Sequence, residues 1–307
     1  MAAIGLERGS ASAVLLQRKG GQFALKRAAT ITLPANILHP SFDEQNIANA
    51  DEMADALAEL VASAGLPRQK RWSVALPEST TRAVIMTLEG KISSRSELEE
   101  ILRWKIERGF GATFDELRVS RQRLPSDPSG RARYLAIGVH VRVLAEFEEV
   151  FSSLGWSTGL ILPRHSGEER WLANSGNGNG AQGDSLLIST HSEGFTAVML
   201  RGSQPLIVRS VMCDEDDRVD ELYRLLLFYR DRVQGAGISE RLQSGIDRFL
   251  VVGGGSSLDK LGEMINETLG TPARSLKASD VGLKLPSGDL SFDKIAAPAG
   301  LAALAWG

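Results

Sequence analysis

The sequence predicts an α/β protein made of two similar lobes, and three observations lead to that prediction. Aliphatic and small residues dominate the 307 residues, while aromatic residues make up only 6%, a composition typical of globular α/β chains. The length leaves room for two domains of ordinary size. A pattern of three short strands at the N-terminus also returns about half a chain later.

The repeated pattern is strand, Ser/Gly turn, strand, Gly turn, strand. Short apolar runs bounded by turn residues indicate β-strands. We expect the strands of the two copies at residues 3–7, 13–18 and 23–33, and at 185–189, 195–201 and 205–212. The copies are displaced by about 182 to 184 residues. We therefore expect two related lobes with a cleft between them, where ligands commonly bind.

Amphipathic periodicity predicts the helices. Met53, Leu57, Leu60 and Val61 fall on one helical face of residues 51–64, and a glycine ends the run. Similar patterns predict helices at 94–108, 142–154, 215–232, 258–269 and 295–305. Apolar runs predict further strands at 72–77, 82–88, 117–124, 134–140, 158–162 and 248–252.

These elements suggest a division of the chain. We expect a first lobe at 1–174 with an inserted subdomain at about 76–150, a flexible linker at 175–183, and a second lobe at 184–294 with a short helical part at about 214–245. The linker prediction rests on a Gly/Asn/Ser-rich run that is too polar to pack. The C-terminal helix, 295–307, is expected to pack back on the first lobe because its small residues permit close approach.

Composition excludes several classes of function. Lys plus Arg number 35 against 38 Asp plus Glu, so the chain lacks the positive field that nucleic-acid binding needs. One cysteine, Cys213, allows no internal disulfide, and the histidines show no metal-ligand spacing. No secretory signal is present, and no apolar run reaches the roughly 18 residues of a spanning helix. We expect a cytoplasmic protein that reaches a membrane only through partners.

A glycine run marks a candidate ligand loop. Gly253, Gly254 and Gly255 directly follow the apolar strand 248–252 and precede a helix, a context in which the backbone can approach a ligand and direct free N–H groups at it. A plain strand-to-helix turn explains the same run equally well. The two Ser/Gly hairpins favour the ligand loop.

Two hairpins and one glycine loop around a cleft resemble the actin-like ATPase superfamily, and within it the PilM family of type IV pilus assembly. The resemblance covers nearly the whole chain, at Ile4–Ser10, Ser73–Pro77, Glu97–Lys105, Phe114–Leu117, Leu250–Leu258 and Ala299–Ala302. It implies a two-lobed actin-like ATPase fold with an inserted subdomain in the first lobe. It also implies a cleft for ATP with Mg²⁺, in which a hairpin from each lobe clasps the phosphates and the glycine loop lies against the adenosine.

The residues that the resemblance assigns to this cofactor site are Glu7, Gly9, Ser10, Ser12, Gly253, Gly254, Gly255 and Ser256. No catalytic residue and no metal ligand is assigned.

The hairpins depart from the family pattern. Its first hairpin usually reads Asp-x-Gly-Ser followed closely by Lys, whereas this chain has Glu7 and, at the Lys position, Val14. Its second hairpin usually carries another Asp-x-Gly, whereas this chain has Ser189, Thr190 and His191. Phosphoryl transfer depends on such metal-side carboxylates and cations, so we predict no hydrolysis. Nucleotide binding stays open, because a Ser/Gly turn can still offer backbone N–H groups to an anion.

Two further features have alternative interpretations. The acidic run 214–217 begins a predicted helix, where acids favour the helix dipole; a metal cluster is the alternative. His191 in the second hairpin is either an incidental surface residue or a phosphate contact.

The resemblance implies a structural function. We expect a PilM-like pseudo-ATPase scaffold that docks on an inner-membrane platform by binding the cytoplasmic N-terminal segment of a PilN-like membrane protein, in a groove beside the inserted subdomain. Other pilus platform proteins and further copies of the chain are additional candidate partners. The alternatives are an active actin-like ATPase that works as a nucleotide switch, a sugar-kinase-like phosphotransferase, and a related component of a type II secretion platform.

Overall fold

The computed structural model describes residues 1–20, 22–90, 92–175, 183–231, 245–254, 260–285 and 290–306. Most of the predicted linker, at 176–182, and much of the predicted helical part, at 232–244, lie outside the described residues. Within the described residues, no helix is both long and apolar enough to cross a bilayer.

The described strands form three sheets. In chain order the strands are β1 (Ala2–Glu7), β2 (Ser10–Lys19), β3 (Gln22–Thr32), β4 (Arg71–Leu76), β5 (Arg82–Thr87), β6 (Leu117–Leu124), β7 (Arg133–His140), β8 (Ser157–Pro163), β9 (Asp184–His191), β10 (Gly194–Arg201), β11 (Gln204–Met212), β12 (Ile246–Val252), β13 (Arg274–Ser275) and β14 (Leu283–Lys284). The sheet orders are β14-β3-β2-β1-β4-β8, β11-β10-β9-β12-β13 and β5-β7-β6.

The described helices cover the faces of these sheets. They are α1 (Ala50–Ser63), α2 (Arg95–Phe110), α3 (Val141–Ser153), α4 (Arg164–Asn174), α5 (Arg218–Tyr229), α6 (Leu261–Leu269) and α7 (Phe292–Leu304). Their N-terminal caps follow from the sequence where a short polar side chain precedes the helix. Asn49, Ser94 and Ser291 each accept a backbone N–H of the following first turn. The cap at Ser291 is the reason that α7 begins before the predicted position 295.

Both predicted meanders are present. β1, β2 and β3 are consecutive antiparallel neighbours in the six-stranded sheet, and β9, β10 and β11 repeat that arrangement in the five-stranded sheet. In each case a parallel strand, β4 or β12, pairs with the first strand of the meander. The two halves of the chain therefore have the same sheet topology at their centres.

Alternating side chains of the strands build a layered core. On one face of the six-stranded sheet, Ile4 and Leu6 pack with α1 and α3. On its other face, Ala3 and Val14 pack with α7 and α4, and the same cluster continues to Leu187 in the five-stranded sheet. The outer face of the five-stranded sheet is covered by α5 and α6. Helices α4 and α7 are thus enclosed between the two large sheets.

The third sheet is an insertion between β4 and β8 of the six-stranded sheet. Its strands pack with α2 in a separate core that includes Met86, Ile106, Phe110 and Ala136. Helix α3, which follows β7, packs instead on the six-stranded sheet through Val143.

Helix α4 is an element that the periodicity analysis does not predict. Its buried face carries Arg164, His165, Gly167 and Glu168 in addition to Trp171. A face that is charged or lacks a side chain produces no apolar stripe, so the usual sequence signal of a packed helix is missing.

Helices α4 and α7 cross at two glycines. A Cβ added to Gly300 would lie 1.8 Å from the backbone oxygen of Gly167, and one added to Gly167 would lie 2.1 Å from the backbone oxygen of Ala297. The indole N–H of Trp171 donates to the oxygen of Ala296 at 2.8 Å. The backbones meet directly, so any side chain at the crossing would separate the two helices.

We expect Gly300→Ala to destabilise the protein by about 3 kcal/mol, because overpacking at a backbone contact leaves no flexible group to move. Urea unfolding measures the loss. Gly109→Ala is the matched control, since its added Cβ would meet only a side-chain methyl of Val84 at 3.8 Å, and this helical position should be neutral or gain about 0.5–1 kcal/mol. Equal stability of the two variants would contradict the close crossing.

Candidate functional site

The two hairpins place equivalent positions at the same point of the cleft. Glu7 ends β1 and pairs with Ser10 across a two-residue turn. His191 ends β9 and pairs with Gly194 across a turn of the same length. The second lobe therefore presents an imidazole where the first lobe presents a carboxylate.

The hairpin tips contact each other directly. Arg8 Nη1 lies 3.6 Å from Glu193 Oε1, so an ion pair joins the two turns. The Ser79 hydroxyl, in the 3-10 turn after β4, also donates to the Glu193 carboxylate. The lobes are thus bridged by the chain's own residues.

The cleft below the tips has a volume of about 510 Å³. Of the residues predicted for the cofactor site, Glu7, Ser10, Gly253 and Gly254 line it together. Tertiary structure thus brings the first hairpin and the glycine loop to one cavity.

The other predicted residues lie elsewhere. Gly9 lines a smaller cavity of about 80 Å³ between the hairpin tips. Ser12 is buried inside the sheet, where it pairs with Gly5 of β1. Gly255 and Ser256 lie outside the described residues.

The glycine loop touches the second hairpin at Gly253. This residue has a φ of 101°, a conformation that glycine adopts without strain. A Cβ there would lie 2.0 Å from Thr190 Oγ1, and that hydroxyl donates to the oxygen of Val252 at 3.3 Å. Only glycine allows this close approach.

Arg164, the first residue of α4, occupies the space beneath the first hairpin. Its Nη1 lies 2.8 Å from Glu7 Oε1. Its Nε and Nη2 donate to Glu168 Oε1 at 3.0 and 2.8 Å. Burial opposes the charge of the guanidinium, but Glu168 and Glu7 outweigh burial and raise the pKa of Arg164. A permanent cation therefore lies between two carboxylates.

Part of the acidic run 214–217 lies at the rim of the cleft. Asp214 and Glu215 line the outer part of the cleft and are exposed. Asp217 precedes the first residue of α5, yet its side chain accepts no capping hydrogen bond. The acidic run therefore lies at a helix N-terminus, as predicted, but the predicted side-chain hydrogen bond that would cap the helix is not formed at Asp217.

The two hairpin tips do not fit Mg²⁺. A magnesium site between them needs carboxylates that are available to the ion, but the Glu7 carboxylate is already paired with Arg164, and the second hairpin offers Thr190 and His191 in place of an acid. The remaining carboxylates of the cleft, Asp214, Glu215 and Asp293, lie outside the hairpins. Across the described residues, no three His, Cys, Asp or Glu side chains are grouped so that they could hold a metal.

Beneath the hairpins lies a buried ion pair. His165 Nδ1 and Glu78 Oε1 are 2.6 Å apart, and both side chains are almost fully buried. Burial alone would raise the pKa of Glu78, but the charge and hydrogen bond of His165 lower it to about 2. Burial alone would lower the pKa of His165, but Glu78 raises it. Both groups are thus charged at mildly acidic pH.

Sequence reasoning missed Arg164, His165, Glu168 and Glu78. The first three lie on α4, whose polar face gives no periodic signal. Glu78 and His165 are separated by 87 residues, so only tertiary contact joins them. Pro163, the N-cap residue of α4, makes no side-chain capping hydrogen bond, so the usual polar signal of a helix start is also missing.

No model of a known protein family matches the sequence, and no curated protein is significantly similar to it. Solved structures do match. A chain of the PilM-PilN type IV pilus biogenesis complex has a TM-score of 0.73 at 17% identity, over 99% of this chain and 97% of that one. The cytoplasmic domain of EpsL from the Vibrio cholerae type II secretion system has a TM-score of 0.47 at 13% identity, over 99% and 94%.

A Bacteroides thetaiotaomicron protein with an actin-like ATPase fold and unknown function matches with a TM-score of 0.48 at 9% identity, over 96% of this chain and 93% of that one. The likeness to the PilM-PilN complex shows the fold. The predicted two-lobed actin-like ATPase fold with an inserted subdomain is confirmed, and the resemblance to PilM is confirmed at the level of the fold.

We expect Glu78→Gln to destabilise the protein in a pH-dependent way. The ionised Glu78 carboxylate stabilises the folded protein above its ordinary pKa of 4.5, and this stabilisation is lost as the pH falls toward 2. The protonated His165 imidazole stabilises the folded protein below its ordinary pKa of 6.5, and this stabilisation is lost as the pH rises through the raised pKa of His165. The free energy of unfolding of the variant should therefore fall furthest below that of the unsubstituted protein between pH 4.5 and 6.5, by about 3 kcal/mol.

Urea unfolding at a series of pH values tests this window. Glu59→Gln, on the exposed face of α1, is the control and should follow the unsubstituted protein. A destabilisation by Glu78→Gln that stays constant from pH 4 to 9, roughly the range in which these groups titrate, would contradict a charged pair.

Proposed function

We propose that this chain is a PilM-like scaffold of type IV pilus assembly. It binds the short cytoplasmic N-terminal segment of a PilN-like membrane protein and is held through that partner at the cytoplasmic face of the inner membrane. The proposal rests on one observation above all, a groove between two unpaired strand edges. The likeness to a chain of the PilM-PilN complex supports this class of partner.

The groove runs between the inserted sheet and the five-stranded sheet. It has a volume of about 660 Å³, and residues of both β5 and β11 line it. β5 is the edge strand of its sheet, and β11 is the edge strand of the other. The two strands approach each other closely over part of their length. An edge strand carries N–H and C=O groups that an extended peptide can bind as an added strand, so a peptide would add to one of the two edges.

The groove has an apolar part. Val84 of β5 contributes to its wall, together with Phe42 and Phe110, whose side chains are largely buried. Met212, the last residue of β11, is 64% exposed there. Methionine is flexible and polarizable, which suits a surface that must fit a peptide side chain.

Charges at the groove restrict its occupant further. Arg82 is held over the Phe42 ring at 4.3 Å from the ring centre and donates to the oxygen of Phe110. Asp43 and Glu44 also line the groove. A short segment with apolar residues and a few charges of each sign matches this lining better than a small apolar molecule does.

The groove shares residues of the second hairpin with the other cavities between the lobes. His191 lines the groove, the cleft and the small cavity between the hairpin tips, whereas Glu193 lines the groove and the small cavity. Because Glu193 also binds Arg8 and Ser79, a peptide in the groove would contact the bridge that joins the hairpin tips. This supports a scaffold whose lobes are held together by protein contacts.

An active ATPase is the less favoured function. It needs Glu7 to hold a metal ion, whereas the Glu7 carboxylate is paired with Arg164. Nucleotide contacts of Glu7, Gly9, Ser10, Ser12, Gly253, Gly254, Gly255 and Ser256 stay a prediction from the resemblance. Self-association and other platform partners also stay predictions.

The test is binding of a fluorescent peptide with the sequence of the PilN-like cytoplasmic segment, measured by anisotropy. We expect Met212→Asp to weaken binding at least about tenfold, because a charge replaces a central apolar contact. Met212 is exposed, so the variant should fold.

Tyr223→Asp is the matched control. Tyr223 is an exposed apolar residue on α5 that does not line the groove, so its variant should bind the peptide normally. Absence of binding by the unsubstituted protein, or an equal loss in both variants, would refute this location of the partner.

A further inference from the structure

A cavity of about 340 Å³ lies outside the cleft and the groove, between the inserted sheet, α4 and the C-terminal end of α7. Among the described residues, none that lines it also lines the cleft, the groove or the small cavity between the hairpin tips. On α4 its wall consists of Ser166, Glu169, Arg170 and Ala173. Because helical side chains repeat about every 3.6 residues, these four positions lie on the opposite face of the helix from Arg164, which lines the cleft.

Glu169 places an unpaired carboxyl group in this wall. Its side chain is half-buried, and within the described residues it forms no hydrogen bond and no ion pair. Burial raises the pKa of the Glu169 carboxyl to about 7, and the positive charge of His165 lowers it only in part. The charged form of Glu169 is therefore poorly stabilised, unlike that of Glu78, which His165 contacts directly.

Arg170, the next residue, places an unpaired cation in the same wall. Its Nε is buried and has no hydrogen-bond partner, and its guanidinium forms no ion pair within the described part of the chain. Consecutive helical side chains do not face each other, so Glu169 and Arg170 line the cavity without pairing with each other. A purely structural role would leave both charges without a partner, which costs free energy in a partly desolvated site.

The rest of the lining is mainly apolar, and its larger side chains come from β7, β8 and α7: Leu135, Ile137, Leu162 and Leu304. Ser120 and Gln122, which lie on the same side of β6, add a hydroxyl and an amide. An apolar lining with a few polar groups is typical of a site in which those groups orient a largely apolar ligand.

We propose that this cavity binds a small aliphatic zwitterion of the amino-acid class, with its ammonium group at Glu169 and its carboxylate at Arg170. The apolar lining then receives the aliphatic side chain. A volume of about 340 Å³ lies near the lower end for ligand cavities, which suits a single amino acid better than a nucleotide. This inference goes beyond the proposed scaffold function and does not depend on it, because the cavity and the peptide groove share no described residue.

Ligands with one charge or none fit the cavity less well. A simple cation would pair with Glu169 but leave Arg170 unpaired, and a simple anion would do the reverse. An apolar molecule would remove water from both charges without replacing its hydrogen bonds. A ligand that carries both charges satisfies both side chains.

The first experiment measures calorimetric binding and thermal unfolding of the full chain with L-leucine at pH 7. Isoamylamine lacks the carboxylate of leucine, and 4-methylpentanoate lacks its ammonium group, so each is a matched control ligand. We expect leucine at about tenfold above its Kd to raise the Tm by about 2–4 °C. Each analogue should bind at least about tenfold more weakly than leucine, because it leaves one charge of the cavity unpaired.

Proton release provides a second readout. At pH 7 the Glu169 carboxyl is about half protonated, because its pKa is about 7. An ammonium group beside this carboxyl favours its charged form, so leucine binding should release about half a proton. The release is measured as a difference in binding heat between buffers of different ionisation enthalpy.

Glu169→Gln tests the site directly. The variant should bind leucine at least about tenfold more weakly and release no proton. Its Tm without leucine should equal or exceed that of the unsubstituted protein, because a neutral amide replaces an unpaired, half-buried carboxylate. Glu148→Gln, on the exposed surface of α3, is the matched control and should keep both the affinity and the proton release.

If Glu169→Gln fails to fold, Arg170→Met carries the same test and should also weaken leucine binding at least about tenfold. No binding of leucine, equal binding of either analogue, or full binding by the folded variants would each overturn the proposal. Displacement of the PilN-like peptide by leucine would overturn it too, because the cavity would then be part of the partner site. Unchanged peptide binding by the Glu169→Gln variant separates this result from the scaffold function.

Discussion

The close crossing of α4 and α7, where Gly167 meets Gly300, determines where the charged groups of the cleft lie. Both helices are enclosed between the two large sheets, and the backbones touch because neither glycine carries a side chain. Arg164 and Glu168 extend from the same short helix on which Gly167 lies. A shift of α4 by the width of a methyl group would therefore move the guanidinium away from Glu7 and weaken the contact between helix and hairpin.

The two buried arginines of the cleft, Arg164 and Arg218, differ in their partners. Arg164 lies between two carboxylates at hydrogen-bond distance, an arrangement in which charge attraction offsets the loss of hydration. Arg218 makes one long contact, to the backbone oxygen of His191, and forms no ion pair within the part of the chain that the structure describes. Arg164 is therefore a structural cation that joins α4 to the first hairpin.

The second hairpin connects the cleft to the groove at the inserted sheet. Glu193 contacts the first hairpin through Arg8 and the turn after β4 through Ser79. His191 lines both cavities. An exposed ion pair of this kind contributes little energy alone, but together with the hydroxyl contact it fixes the second hairpin as a common wall of the two sites.

Local patterns in the sequence determined the hairpins, most helices and the glycine loop, because period-two alternation, apolar stripes and turn residues act over a few neighbouring positions. The family resemblance, and not a local pattern, assigned Glu7, Ser10, Gly253 and Gly254 to one site, and these four residues line one cavity. Helix α4 and the pair of Glu78 with His165 were decided only in three dimensions. Glu78 and His165 neutralise each other across 87 residues of chain, and Arg164 is paired with Glu7 of the distant first hairpin as well as with Glu168 on its own helix. Contacts between distant parts of the chain leave no local pattern in the sequence.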